Sequence, residues 1–264
     1  DFMPSIGRLS KYLTPEHTKT VRVDTGIREG SEVSMFYDPM IAKLITHGKN
    51  RASAIDNMKK AIDQYVIDGL SHNLNFLSSI MQNKTFQSGY TTTDFIEQEY
   101  PSGFNGEAIT EKEYEFYGSI LSAYHFCNQR KLDPSYGDYW NDIAIKKYLV
   151  CFPNHNVLIN LSKDTWLAGE GIFTTNTAND TDKSYSLSID TKSNDPRAKC
   201  LLINQNEQQQ YELHVQIRKC MPRYELTHRG KTIEALVLED RLSELNELMP
   251  EKIPQDMSKF LLSP

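Results

Sequence analysis

No stretch of this 264-residue chain approaches the ~20 consecutive apolar residues of a membrane-spanning helix, and no charged-then-apolar leader opens it. Cysteine is sparse: Cys127, Cys151, Cys200 and Cys220 stand far apart without a C-x-x-C pair. That argues against a zinc site or a disulfide framework and suits reduced thiols in a cytosol-like compartment. The seven histidines form no H-x-H or H-x-x-x-H pair, so metal ligation is not expected. No G-x-x-x-x-G-K-[ST] run occurs, so a P-loop for nucleotide phosphates is absent. Nor is there an excess of positive charge. A net charge of −6, with both signs mixed through the chain, leaves no basic footprint for nucleic acid or an anionic membrane.

What is present is enough chain for one large or two medium domains, each able to bury a core. Arg8 to Tyr12 can pair as a strand, and Thr14 to His17 reads as a loop. In Val21-Arg22-Val23-Asp24 the period-2 alternation puts the valines on one face and Arg22 with Asp24 on the other. Gly26 and Arg28 to Ser31 supply a turn, Glu32 to Tyr37 a returning strand, Asp38-Pro39 a break and Met40 to His47 a third strand. Asn50 is a candidate N-cap for an amphipathic helix over Arg51 to Gln64, with Ile55, Met58, Ile62 and Tyr65 at helical spacing. Val66 to Gly69 returns as a short strand. Ser71 can cap a second helix that buries Leu74, Leu77, Ile80 and Met81. A last short helix begins at Thr93 to Ile96 and ends by Pro101, where Pro101-Ser102-Gly103 looks like a boundary.

Beyond it, Tyr114, Tyr117, Ile120, Leu121, Tyr124 and Cys127 place a long helix over Glu111 to Lys131. Leu132 to Trp140 breaks that periodicity with a proline, a glycine and several aromatics. Strands follow at Lys147 to Phe152, Asn156 to Leu161, Thr165 to Ala168, Tyr185 to Ile189, Lys199 to Ile203, Tyr211 to Ile217, Arg223 to His228 and Thr232 to Leu238. Thr174 to Lys183 reads as a polar loop. The expected fold class is α+β: an antiparallel sheet with helices, followed by an antiparallel barrel or strongly curled sheet around or against the long helix.

The wording of several runs adds a resemblance. Pro4-Ser5-Ile6-Gly7, Val21-Arg22, FYDPMIAKLITHGKNRASAI from Phe36 to Ile55 and VIDGLSHN from Val66 to Asn73 resemble the C-terminal part of a biotin carboxylase domain. Ser34 to Gly48, together with Phe95 to Pro101 and Gly103-Phe104, is most similar to the propionyl-CoA carboxylase α-subunit family. By order of elements the second half resembles that family's BT domain, a β-barrel on a long helix. Leu245 to Lys252 resembles the linker towards its biotin carrier. The resemblance implies a carboxylase C-terminal subdomain at 1–104 and a BT domain at 105–240. Within the BT domain it implies a helix at 111–131, a hook at 132–146 and a barrel at 147–239, with a linker at 241–264. The ATP-gripping loop, ATP lysines and metal-binding glutamates are expected before Asp1, and the carrier with its Met-Lys-Met lysine after Pro264. On that reading the chain alone neither binds Mg-ATP productively nor carboxylates biotin. Lys59 follows Met58, but its helical setting and the missing second methionine make it a solvated helix lysine.

The resemblance assigns roles. Arg22 occupies the place of the family's Val-Arg arginine, which faces the ureido oxygen of biotin as negative charge develops there. Asp38 either orients that guanidinium or only shapes the turn before Pro39. Thr93 and Asp94 correspond to the adenine side of ATP, although a simple N-cap role for Thr93 is also open. Asp133, Tyr136, Tyr139 and Trp140 fall in the hook that docks the carboxyltransferase β subunit. The implied cofactors and substrates are biotin, ATP, Mg and bicarbonate, in an α/β hetero-oligomer. Its setting would be the cytoplasm in a bacterium or the mitochondrial matrix in a eukaryote. Two other readings stand beside it: a non-catalytic β-barrel binding or scaffold module, and the methylcrotonyl-CoA carboxylase α subunit. If the hook is assigned correctly, Tyr139→Ala with Trp140→Ala weakens capture of the β subunit in a pull-down while the free fold persists. Unchanged capture would remove that assignment.

Overall fold

The computed structural model describes residues 5–34, 36, 40–104, 106, 108–132, 145–167, 170–177, 180–191, 195–220 and 222–239. Asp38, Asp133, Tyr136, Tyr139, Trp140 and the 241–264 tail lie outside them.

Among the described residues the first half contains three small antiparallel pairs. β1 (Gly7–Arg8) pairs with β4 (Glu32–Val33), and β2 (Lys11–Leu13) pairs with β6 (Val66–Asp68). β3 (Val21–Thr25) pairs with β5 (Ala42–Thr46). The returning strand expected at Glu32 to Tyr37 is therefore short and does not pair with β3. The loop before it is tied to the first strand instead: Gly30 N–H donates to Leu9 O at 2.8 Å and Leu9 N–H to Ser31 O at 2.9 Å.

α1 (Arg51–Asp63) starts where the sequence places it. Asn50 and Ser53 form a capping box, with Ser53 N–H on Asn50 Oδ1 at 2.9 Å and Asn50 N–H on Ser53 Oγ at 3.1 Å. Gly48 is required just before it, since a Cβ there would lie 2.4 Å from Ala54 N. α2 (Leu74–Gln82) begins after Asn73, not at Ser71, whose N–H instead donates to Ser5 Oγ at 3.0 Å. α3 (Lys84–Ser88) was not expected; Asn83 Oδ1 caps it from Phe86 N–H at 3.1 Å. α4 (Phe95–Glu99) follows Asp94, so Thr93 is not its N-cap. Asp94 makes no capping bond either, because its carboxylate is taken by Gln98 Nε2.

The second half is an eight-stranded, up-and-down antiparallel barrel. β7 (Ile145–Cys151), β8 (Asn156–Leu167), β9 (Glu170–Thr177), β10 (Asp180–Thr191), β11 (Arg197–Asn204), β12 (Gln210–Cys220), β13 (Arg223–His228) and β14 (Lys231–Glu239) pair in succession. β14 returns to β7 and closes the sheet, which removes every free edge. The polar loop expected at Thr174 to Lys183 is in fact the end of β9 and the start of β10. Thr and Ser serve well in strands when their neighbours face a core, and Phe173 and Thr175 are fully buried there. The strand expected at Thr165 to Ala168 is the far end of β8.

α5 (Glu111–Leu132) lies within the barrel. An amphipathic stripe was expected, but Phe116 to Ala123 is buried on every side. Gly118, Ser119, Ser122 and Ala123 make that possible by keeping the other faces thin. A Cβ at Gly118 would stand 3.4 Å from Ile159, so the helix lies close against β8. Phe126 meets Phe173 edge-on, with centroids 5.7 Å apart.

The two halves meet along the outer face of β12. Its inward residues Leu213, Val215 and Ile217 fill the barrel, while Glu212, His214, Gln216 and Arg218 alternate outward. Each of the four reaches the first half. Glu212 pairs with Lys60 at 2.9 Å, His214 meets Gln64 Nε2 at 3.4 Å and Arg218 pairs with Asp68 at 2.7 Å. Gln216 Nε2 donates to the carbonyls of Asp63 at 3.1 Å and Tyr65 at 2.9 Å. On β11, Arg197 Nη1 adds a bond to Thr14 O at 3.0 Å.

Truncating Phe173 to Ala, where no exposure remains, is expected to cost about 3–5 kcal/mol in urea unfolding. Ile172→Ser, on the outer face one residue away, is expected to cost under about 0.5 kcal/mol. Equal losses would mean that the barrel interior is not the core.

Candidate functional site

The β3–β5 ribbon has one buried face. Val23 is buried, and with Ala42 and Leu44 it packs on a core of Leu9, Tyr12, Tyr65 and Ile67. Strand alternation then forces Arg22 and Asp24 onto the open face. In register, Arg22 stands opposite Ile45 and Asp24 opposite Lys43. Arg22 Nε is 3.1 Å from Asp24 Oδ1, with 66% of the arginine side chain exposed. Among the described residues its two Nη nitrogens have no protein partner. Ile45, its cross-strand partner, is 36% exposed and puts apolar surface beside this charge.

The ribbon end is fixed from below. Tyr12 Oη is 3.0 Å from Thr25 Oγ1 and 2.6 Å from Tyr65 Oη, and the Thr25 hydroxyl also donates to Ile41 O at 3.2 Å. A planar cation held on a braced ribbon beside apolar surface can neutralise an oxyanion carried by a flat, largely apolar group. An exposed pair such as Arg22–Asp24 contributes under ~1 kcal/mol to folding.

The other expected site residues are distributed differently. Thr93 and Asp94 are both exposed, at the start of α4. α4 is anchored by Phe95 against Phe76 and Ile80, a cluster separate from the one beneath Arg22. The Asp94 carboxyl is held below the usual range, first by the Thr92 hydroxyl and then by its own backbone N–H. Among the described residues no group of three or more His, Cys, Asp or Glu is placed to hold a metal ion. Among them, too, no helix is long and apolar enough to cross a membrane.

Sequence reasoning missed the junction between the halves. A cavity of about 380 Å³ opens there, with Asp63, Asp68, His72, Gln216, Arg218 and Glu225 among its lining residues. Arg218 bridges Asp68 at 2.7 Å and Glu225 at 3.2 Å. A signal existed: four consecutive outward positions of β12 are all polar and all able to hydrogen-bond, more than a solvated face needs.

Comparison with known proteins places both halves. The family model of the biotin carboxylase C-terminal domain matches residues 1–98, and that of the propionyl-coenzyme A carboxylase BT domain matches residues 158–252. The mitochondrial propionyl-CoA carboxylase alpha chain of Caenorhabditis briggsae is 48% identical over 130 residues, covering 49% of this chain and 17% of its own. The alpha chain from Ruegeria pomeroyi is 32% identical over 284 residues, covering 100% of this chain and 40% of its own. The mitochondrial human alpha chain is 32% identical over 276 residues, covering 99% of this chain and 35% of its own. The chain thus spans well under half the length of the curated relatives it matches.

Arg22→Ala is expected to leave the melting transition nearly unchanged, a loss below about 1 kcal/mol. A loss of several kcal/mol would make the guanidinium a structural group rather than a free one.

Proposed function

Because this chain joins a biotin carboxylase C-terminal domain to a propionyl-CoA carboxylase BT domain, we propose that it is part of the α subunit of a biotin-dependent acyl-CoA carboxylase acting on propionyl-CoA. The carboxylase subdomain occupies 1–104, the BT domain 105–240, and 241–264 leads towards a biotin carrier. The observation that carries the reading is Arg22: an exposed guanidinium on a braced ribbon, inside a stretch that matches the carboxylase family model.

Biotin, borne on a carrier, supplies the ureido nitrogen that takes up the carboxyl group. Arg22 meets the negative charge on the ureido oxygen, with Asp24 holding Nε so that the Nη pair is presented. That interaction is stronger in the transition state than before it, which is why it accelerates the step rather than only binding the ring. Ile45, opposite Arg22 in register and partly exposed, offers apolar surface to the ring system. Asp38 supports Arg22 or shapes its turn, and Thr93 with Asp94 lies on the adenine side of ATP. Asp94 suits an amino group rather than a phosphate, since it stays an anion. The barrel with its hook, including Asp133, Tyr136, Tyr139 and Trp140, docks the carboxyltransferase β subunit.

In the full-length subunit carrying this segment, Arg22→Ala is expected to lower kcat for bicarbonate-dependent biotin carboxylation about 10²–10³-fold. Arg22→Lys recovers only part of it, because an ammonium lacks the planar fork. A loss of only a few fold in the alanine variant would contradict the assigned role.

A further inference from the structure

Thr25 closes the ribbon on the face opposite Arg22. It follows Val23 by two residues, so strand alternation turns it towards the covered side, and in register it stands beside Ala42 at the start of β5. Its hydroxyl has one proton to give and two lone pairs to receive. The Ile41 carbonyl lies 3.2 Å away and the Ile27 carbonyl 3.4 Å, and either can only accept. The Thr25 proton therefore goes to a carbonyl, and Tyr12 Oη, 3.0 Å away, donates to Thr25. With its own proton used there, Tyr12 can only receive from Tyr65 Oη, at 2.6 Å. The order of donors is thus fixed: Tyr65 to Tyr12, Tyr12 to Thr25, Thr25 to the main chain of the ribbon. Ile27 N–H fills the second Thr25 lone pair at 3.3 Å, and Glu29 Oε2 accepts the Tyr12 backbone N–H at 3.1 Å.

We propose that Thr25 and Tyr12 are positioning residues for Arg22, their one-way hydroxyl chain setting the aim of the guanidinium on the open face. The proposal rests on the carboxylase reading of Arg22 given above and adds the residues that act through it. The link is short. Thr25 adjoins Asp24, whose Oδ1 lies 3.1 Å from Arg22 Nε. A shift of the Thr25 main chain carries Asp24 with it and turns the Nη pair. Arg22 has little else to hold it, since 66% of its side chain is exposed and its cross-strand neighbour Ile45 offers no polar side-chain group. The far end of the chain is anchored: Tyr65 is almost wholly buried, and its carbonyl accepts Gln216 Nε2 of the barrel at 2.9 Å.

Hydroxyls in such a chain polarise one another, so the loss of one weakens the next bond as well. The chain therefore acts as a unit. Its effect falls on the rate more than on binding, because Arg22 meets a charge that develops only as the ureido nitrogen loses its proton. A guanidinium displaced from that oxygen stabilises the transition state less and leaves the site for ATP untouched.

The test is a double-mutant cycle in the full-length subunit carrying this segment, read as kcat for bicarbonate-dependent biotin carboxylation. Thr25→Val and Tyr12→Phe each remove one hydroxyl at nearly constant volume. Each is expected to lower kcat about tenfold while KM for ATP changes by less than about twofold. Thr25→Ser keeps the hydroxyl and is expected to retain most of the rate. In an Arg22→Ala background Thr25→Val is expected to cost almost nothing further, since the group it aims is gone. A wild-type kcat in either Thr25→Val or Tyr12→Phe, or an equal loss with and without the Arg22 guanidinium, overturns the proposal. If Arg22→Ala itself loses only a few fold, the carboxylase reading falls and takes the proposal with it. That result is distinct from an effective Arg22 beside a silent Thr25. Should Thr25→Val not fold, Tyr12→Phe carries the cycle with Arg22→Ala.

Discussion

Both halves of the molecule close on Tyr65. Its phenol is almost wholly buried, meets the Tyr12 ring edge-on at 5.7 Å and lies 2.6 Å from the Tyr12 hydroxyl. Burial and that hydroxyl both push the Tyr65 phenol up, so it stays neutral and costs no buried charge. Its carbonyl, on the other side, accepts the Gln216 amide at 2.9 Å. Tyr12 passes the constraint on to Thr25 at the end of β3. Ribbon, carboxylase core and barrel are therefore joined by a short run of directional contacts, and the open face of β3 has a fixed aspect relative to the barrel.

The same arrangement separates stability from chemistry. The folding free energy resides where apolar side chains are excluded from water: around α5 in the barrel, and in the smaller clusters under the ribbon and around Phe76. Arg22 contributes almost nothing to it, because an exposed pair is screened. A group that is cheap to the fold and held in place by neighbours is free to be spent on a ligand. The junction is different again. Its contacts are polar, so it defines geometry more than it adds stability.

Much of this was legible in the sequence where one residue type has one physical reason to be present. The alternation of Val21 to Asp24 placed Arg22 outside, and Asn50 opened α1. The barrel strands were missed where side chains were polar: Thr, Asn and Asp around 174–183 read as loop, although closure of a barrel orders them through their neighbours. The helix was placed correctly, but its apolar stripe gave no sign that Gly118, Ser119 and Ser122 let a strand wall approach the other faces. The caps at Ser71 and Thr93 failed because the helices begin later, after Asn73 and Asp94. Asp63 is buried only by long-range packing, and no local pattern encodes that.

The central claim is that the open face of the β3–β5 ribbon receives the ureido ring of biotin. The most direct measurement is photolabelling of the full-length subunit with a biotin derivative carrying a short diazirine on the ring, followed by mapping of the adduct by mass spectrometry. Labelling confined to Val21–Thr25, Ala42–Thr46 or Phe36, and competed by free biotin, is the result predicted. Competed labelling that falls wholly elsewhere, with the ribbon untouched, would contradict it.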